Sequence, residues 1–218
     1  MKGFPFGINI LIILYRDSKL ILEMKSKHTM ASILIGGTPG TGKTKVAKVL
    51  GSRLSVDVIA LGELADKSGC ISAQDKARDT GIIDEDCLVY ALVELVDDKS
   101  ERFVIEGHYI DLVPSSAVQW VFILRTHPET LVGRLAARGY NDEKVNENVE
   151  AEVLGVCQLD ALDAFGEERV HEIDTSEMTP TDVASKIEQL ISEEAAPIRI
   201  DWMVALEKEG RLDEFLSE

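Results

Sequence analysis

Apolar residues first fall into a regular order at Ser32. The run SILIG, Ser32 to Gly36, is short, continuous and closed by glycine, the pattern of a strand buried on both faces. In the segment TKVAKVLGSRL that follows the glycine-rich stretch, Val46, Val49 and Leu50 recur at helical spacing, and Ala47 is small enough for close packing. Four further strand-like runs follow at intervals: Val56 to Leu61, Arg102 to Gly107, Val118 to Arg125 and Arg169 to Asp174. Helical patterns lie between or after them, over Asp84 to Val96, Pro128 to Ala137, Glu143 to Leu162 and Pro180 to Ile191. This alternation predicts an α/β fold with a five-stranded, mainly parallel sheet covered by helices on both faces.

The ends of the chain break the pattern. Ile8 to Leu14 is apolar, but seven residues cannot span a bilayer, and no small-residue cleavage site marks a signal peptide. Residues 1–29 are therefore expected to be an extra strand or an artefact of start-site choice, with Met30 two residues ahead of the first strand. Residues 30–194 form the predicted domain. Residues 195–218 read as a polar, mixed tail containing Trp202 and Phe215, a docked appendage.

At 218 residues one domain is the default. The net charge of −16 argues against broad nucleic-acid binding, which depends on neutralising phosphates, while it is compatible with a basic protein partner. Cys70, Cys87 and Cys157 are odd in number and lack metal-ligand spacing, so neither a disulfide nor a zinc site is expected, and a reducing cytoplasmic setting fits.

The stretch GTPGTGKT, Gly37 to Thr44, carries the candidate chemistry. It fits the pattern GxxxxGK[ST] between a predicted strand and a predicted helix, the context that gives such a loop its mechanical meaning. Gly37, Gly40 and Gly42 let the backbone curl so that amide hydrogens face an anion, and the helix directs its positive end there. Lys43 then reaches the β- and γ-phosphates of a nucleoside triphosphate, and Thr44 offers its hydroxyl to Mg²⁺. No guanine-reading NKxD element occurs, and the chain is short for a helicase or motor, so small-molecule kinases match in size.

Beyond the loop, the chain from about Ser32 to Leu190 resembles the nucleoside monophosphate kinase family called adenylate kinase isoenzyme 6 or CINAP, archaeal members included. The stretches that carry the resemblance are GTPGTGKT, LGELA (Leu61 to Ala65), IIDED (Ile82 to Asp86), EGHYIDLVP (Glu106 to Pro114), FILRT (Phe122 to Thr126) and RGYNDEKVNENVEAE (Arg138 to Glu152). The resemblance implies a P-loop nucleoside triphosphate hydrolase fold and use of ATP with Mg²⁺. It implies nucleotide contacts from Gly40, Gly42, Lys43, Thr44 and Lys45, a monophosphate-binding segment over residues 60–83, and a short lid over 137–147 in which Arg138 touches ATP. It also implies adenine nucleotides, with AMP or another nucleoside monophosphate as acceptor, and a second role in maturation of the small ribosomal subunit with a basic platform protein. The chain departs from the family at two places: Glu106 stands where Asp is usual before Gly107 and His108, and Asp66 and Lys67 stand where an arginine is frequent. Glu106 can still reach Mg²⁺ through water, whereas Lys67 lacks the bidentate fork of arginine.

Phosphoryl transfer needs cations around the transferring group more than covalent assistance. Lys43 and Mg²⁺ cover one side, and Arg134 and Arg138 are expected to share a helical face on the other. Arg125, at a strand end, reads either as a phosphate ligand or as a structural ion-pair residue, and so does Arg134. AMP brings its own anionic oxygen and needs no base, but water as acceptor needs an orienting group, for which Glu106 and His108 are the candidates. Three readings follow: a nucleoside monophosphate kinase, a nucleotide-gated assembly ATPase, and a kinase of another small metabolite such as shikimate.

Overall fold

The computed structural model describes residues 32–75, 80–97 and 102–216. Its strands are β1 (Ser32–Gly36), β2 (Asp57–Ala60), β3 (Ile71–Asp75), β4 (Thr80–Ile83), β5 (Phe103–Glu106), β6 (Val118–Arg125) and β7 (Val170–Asp174). Its helices are α1 (Lys43–Leu54), α2 (Leu61–Lys67), α3 (Glu85–Asp97), α4 (Pro128–Ala136), α5 (Asp142–Leu154), α6 (Val156–Phe165), α7 (Pro180–Glu193) and α8 (Trp202–Glu209). The main sheet is five-stranded in the order β2-β5-β1-β6-β7, and every adjacent pair is parallel.

Alternation along the central strands divides the core into two layers. Ile33, Ile35, Val104, Phe122 and Leu124 face Val46, Ala47 and Leu50 of α1 and Val183, Ala184 and Ile187 of α7. Leu34, Phe103, Ile105, Val121 and Ile123 face the other way, toward Leu61 and Ala65 of α2, Leu88 and Leu92 of α3, and Ala161 and Phe165 of α6. Burial of each such aliphatic or aromatic side chain contributes about 1.5–3 kcal/mol. Helices on both faces and a parallel sheet are what the hydrophobic runs predicted.

Three expectations need correction or qualification. The pattern from Glu143 to Leu162 is not one helix: Gly155, at φ 69°, ends α5 and starts α6 in a new direction. The left-handed conformation favours glycine, which has no Cβ to clash. The segment 60–83 contains an antiparallel hairpin, β3 with β4, that the sequence pattern did not reveal. Third, Cys70 and Cys87 form a disulfide, with Cα atoms 5.4 Å apart, where none was expected. Cys70 precedes β3 and Cys87 lies in the first turn of α3, and the Asp84 amide donates to the Cys70 carbonyl at 2.7 Å. That backbone contact closes the base of the hairpin and brings the two thiols together. The expectations for residues 1–29 lie outside the described residues. Among the described residues no helix is long and apolar enough to cross a membrane.

The register carries the chemistry to one edge. Ile35 pairs with both Glu106 and Phe122, and Ala60 also pairs with Glu106, so the carboxyl ends of β2, β5, β1 and β6 come together. In open parallel sheets this edge is where ligands gather.

Candidate active site

Between β1 and α1 the chain turns through residues 37–42 with positive φ at Gly37, Gly40 and Gly42. Two of these glycines are required for different reasons. A Cβ on Gly37 would lie 2.4 Å from the Leu124 carbonyl oxygen, so only glycine lets the loop pass beside β6. Gly42 holds φ 102° as the N-cap of α1, and no side chain caps that helix end. Its dipole and amides are thus directed at the loop mouth.

Lys43 is buried, 8% exposed, and its ammonium donates to the carbonyls of Gly37 at 2.6 Å and Thr38 at 3.0 Å. Burial lowers its pKa first of all; Cys157, Glu106 and Glu152 act in the opposite sense, and Arg138 lowers it further. Thr44, one residue on, donates its hydroxyl to Glu106 Oε1 at 3.0 Å. The two oxygen ligands predicted for a metal therefore come from different elements, the first turn of α1 and the end of β5. A hydroxyl and a carboxylate side by side are hard oxygen donors, and Mg²⁺ characteristically takes only one or two such protein ligands alongside phosphate and water. The donor set fits the ion.

His108 follows two residues after Glu106. Its pKa falls to about 4, through desolvation first and the Lys43 charge second, although the residue as a whole is exposed. The imidazole is neutral at pH 7 and lies against the Tyr109 ring, with centroids 3.9 Å apart and planes tilted by 42°. Arg138 lies in the exposed turn after α4, near enough to Lys43 and Arg134 to lower the pKa of both. Lys45 is exposed on the first turn of α1. Residues 137–147 comprise the turn between α4 and α5 and the first turns of α5, which Asn141 caps by accepting from the Lys144 amide at 2.9 Å.

The structure separates the other basic candidates. Arg138 stands beyond the end of α4, so it does not share a helical face with Arg134. Arg134 donates to the Thr175 carbonyl at 2.6 Å and the Ser176 carbonyl at 3.1 Å, bracing the loop after β7. Arg125 is a structural residue. It is 1% exposed, and its guanidinium is held by Glu152 at 2.8 Å, Glu172 at 3.2 Å, Gln158 and backbone carbonyls. Lys67 bonds to Glu63 at 3.1 Å on the exposed surface of α2.

Sequence reading missed Glu152. It sits in the acidic run NENVEAE and looks like one more solvated charge, yet it is 2% exposed beside Val145, Val149 and Val153. The signal was available: Glu152 lies seven residues after Val145, on the apolar stripe of α5. Its Oε2 accepts from the Thr38 hydroxyl at 2.5 Å, which ties the phosphate loop to α5. A cleft of about 440 Å³ opens beside the loop after β7, lined by His127, Thr130, Asp174, Ser176, Met178 and Trp202 among others.

The family model described as AAA domain matches residues 33–155, more than half of the chain. A protein of Methanothermobacter thermautotrophicus named "Putative adenylate kinase" is 41% identical over 160 residues, covering 73% of this chain and 89% of its own. A protein of the same name from Saccharolobus islandicus is 36% identical over 186 residues, covering 85% and 92%. Among solved structures, shikimate kinase from Acinetobacter baumannii in complex with shikimate superposes with a TM-score of 0.57 at 19% identity, over 77% of this chain and 96% of its own. At that identity the likeness shows the P-loop α/β fold alone.

Proposed function

This chain belongs to the family of archaeal proteins named "Putative adenylate kinase", and from that membership and the site's geometry we propose that it is an ATP-dependent nucleoside monophosphate kinase converting ATP and AMP to two ADP. The observation that carries the reading is the placement of Lys43 in the loop mouth with the Thr44–Glu106 pair beside it. Main-chain amides, one ammonium and a pair of hard oxygen ligands meet at the carboxyl edge of the sheet, the set that a triphosphate and its metal need.

Each residue then has a role. The loop from Gly37 to Thr44 cradles the β- and γ-phosphates, and Lys43 follows the charge that develops on the transferring group. Thr44 and Glu106 would hold Mg²⁺, which when bound would neutralise phosphate charge. Arg138 approaches from the turn after α4 and covers the side opposite Lys43. Segment 60–83 receives the monophosphate, whose phosphate oxygen attacks the γ-phosphorus as the bond to the β–γ bridging oxygen breaks. ADP leaves from each half. Because that oxygen is already anionic, no side chain has to remove a proton; alignment and exclusion of water supply the rate.

His108 favours a second activity, ATP hydrolysis. Its imidazole is neutral and stands two residues from Glu106, where it can accept a hydrogen bond from water. Slow hydrolysis would suit a nucleotide-gated factor in small-subunit assembly, and the acidic surface suits a basic ribosomal platform protein. A cytoplasmic location accords with that role. The deciding assay is coupled ADP production with and without AMP. ADP formation that requires AMP supports the kinase; phosphate release independent of AMP and raised by a ribosomal partner supports the assembly ATPase. Turnover only with another hydroxyl compound, AMP and CMP failing, would transfer the chain to a different small-molecule kinase class.

A further inference from the structure

The C-terminal segment is fastened to the catalytic loop through one carboxylate. Glu152 Oε1 accepts from Arg125 Nε at 2.8 Å, the Thr126 amide at 2.9 Å and the Trp202 indole N–H at 3.2 Å, and Oε2 accepts from Thr38 at 2.5 Å. Thr38 is itself the hinge of the loop: its carbonyl accepts from the Thr41 amide and hydroxyl at 3.3 and 2.9 Å and from Lys43 Nζ at 3.0 Å. A buried carboxylate has a fixed orientation only while its donors hold it. Turning Glu152 would release the Thr38 hydroxyl, and the Thr38 carbonyl is one of the two, with Gly37, that hold Lys43.

The segment that brings Trp202 there is firmly docked. The Ile200 amide donates to Glu172 Oε2 at 3.0 Å, Arg125 donates to the Ile200 carbonyl at 3.2 Å, and Arg199 donates to the carbonyls of Val170 and Glu167. Asp201 caps α8, Trp202 and Leu206 are buried, and Phe215 packs on Leu131, Leu135, Val145 and Val149 of α4 and α5. The same strap therefore covers the two helices that flank the turn bearing Arg138.

We propose that Trp202 and Glu152 are positioning residues for the triphosphate end of the nucleotide, the C-terminal segment 195–216 acting as a strap that fixes the phosphate loop. The proposal rests on the kinase reading only in taking ATP as the loop's ligand. It assigns the appendage a part in substrate binding that neither the loop motif nor the sheet topology requires.

The test uses the full chain with Trp202→Phe, which keeps the ring and deletes the N–H. Binding of Mg·ATP, competition by Mg·tripolyphosphate and the KM for AMP are compared with the wild type. A hydrogen bond of ordinary strength predicts about three- to ten-fold weaker binding of both ATP and tripolyphosphate, with the KM for AMP unchanged. Thr38→Val should weaken ATP binding similarly, and the double variant should lose less than the product of the single losses, because both changes act through one carboxylate. In a Trp120→Phe background, the emission of Trp202 should respond to Mg·ATP and not to AMP. Unchanged ATP binding in Trp202→Phe would overturn the proposal, as would multiplicative losses in the double variant. Loss for ATP without loss for tripolyphosphate would also overturn it, placing the ring at the base instead. Should Trp202→Phe fail to fold, the Trp202 emission and Thr38→Val decide alone, and a silent emission overturns the proposal. A wild-type chain that binds no Mg·ATP would instead refute the nucleotide reading itself.

Discussion

Thr44 Oγ1 lies 3.0 Å from Glu106 Oε1, so the first turn of the loop helix and the end of the adjacent strand present a hydroxyl and a carboxylate as one pair. The pair matters because its members come from separate elements, which the sheet register, Ile35 opposite Glu106, and the packing of Val104 under α1 bring together. Glu106→Gln keeps the hydrogen bond and removes the charge. It should lower kcat by about 10- to 100-fold and raise the Mg²⁺ concentration for half-maximal activity, with AMP affinity unchanged. A magnesium titration of turnover checks this, and an unshifted curve would remove Glu106 from the metal's surroundings.

His108 should titrate with a midpoint near pH 4, well below the ordinary 6.5, because burial and Lys43 both oppose its protonation. Between those two values the unfolded chain holds a proton that the folded chain does not. The contribution to stability is therefore complete above pH 6.5 and is lost as the pH falls toward 4. Proton NMR of the ring, together with melting temperatures over that range, tests the sign. Activity between pH 5.5 and 8 should show no limb from this group, and His108→Ala should reduce hydrolysis more than transfer to AMP.

The Cys70–Cys87 disulfide closes a loop of sequence separation 17 at the base of the hairpin. Loop closure of that length predicts a loss of about 2–4 kcal/mol in Cys87→Ser under oxidising conditions. Denaturant unfolding with and without reductant measures it. Wild type under reductant should converge on the variant, and a reductant-insensitive wild type would contradict a stabilising bridge.

Arg125→Met should destabilise the fold by about 3–5 kcal/mol, since it strands Glu152 and Glu172 as buried carboxylates. Burial already pushes the Glu172 carboxyl above its ordinary range, with Arg125 among the groups that oppose the shift. Urea unfolding at pH 7 reads the loss directly; a change under 1 kcal/mol would mean that this network is not what holds α5 against β6.

What could be read in the sequence was local. The strand from Val118 to Arg125, the loop from Gly37 to Thr44 and the apolar face of α7 are set by short-range pattern, and their positions follow from it. The hairpin at residues 71–83 was illegible because its strands are short and partly exposed, with Ile71 at 40% and Ile82 at 50% exposure. The disulfide was missed because the hairpin fold, not any cysteine spacing, brings Cys70 to Cys87. Arg125 and Glu152 lie 27 residues apart in sequence, and nothing local announces that each needs the other. Residue types identified the loop's chemistry; only tertiary contact identified what steadies it.

The direct test of the central claim is the fate of label from ATP carrying radioactive γ-phosphate, followed with and without AMP and with Lys43→Ala as control. The account predicts that label moves to the β-position of ADP formed from AMP, one for one, and that Lys43→Ala abolishes the transfer. Label released only as inorganic phosphate, at a rate indifferent to AMP, would contradict it.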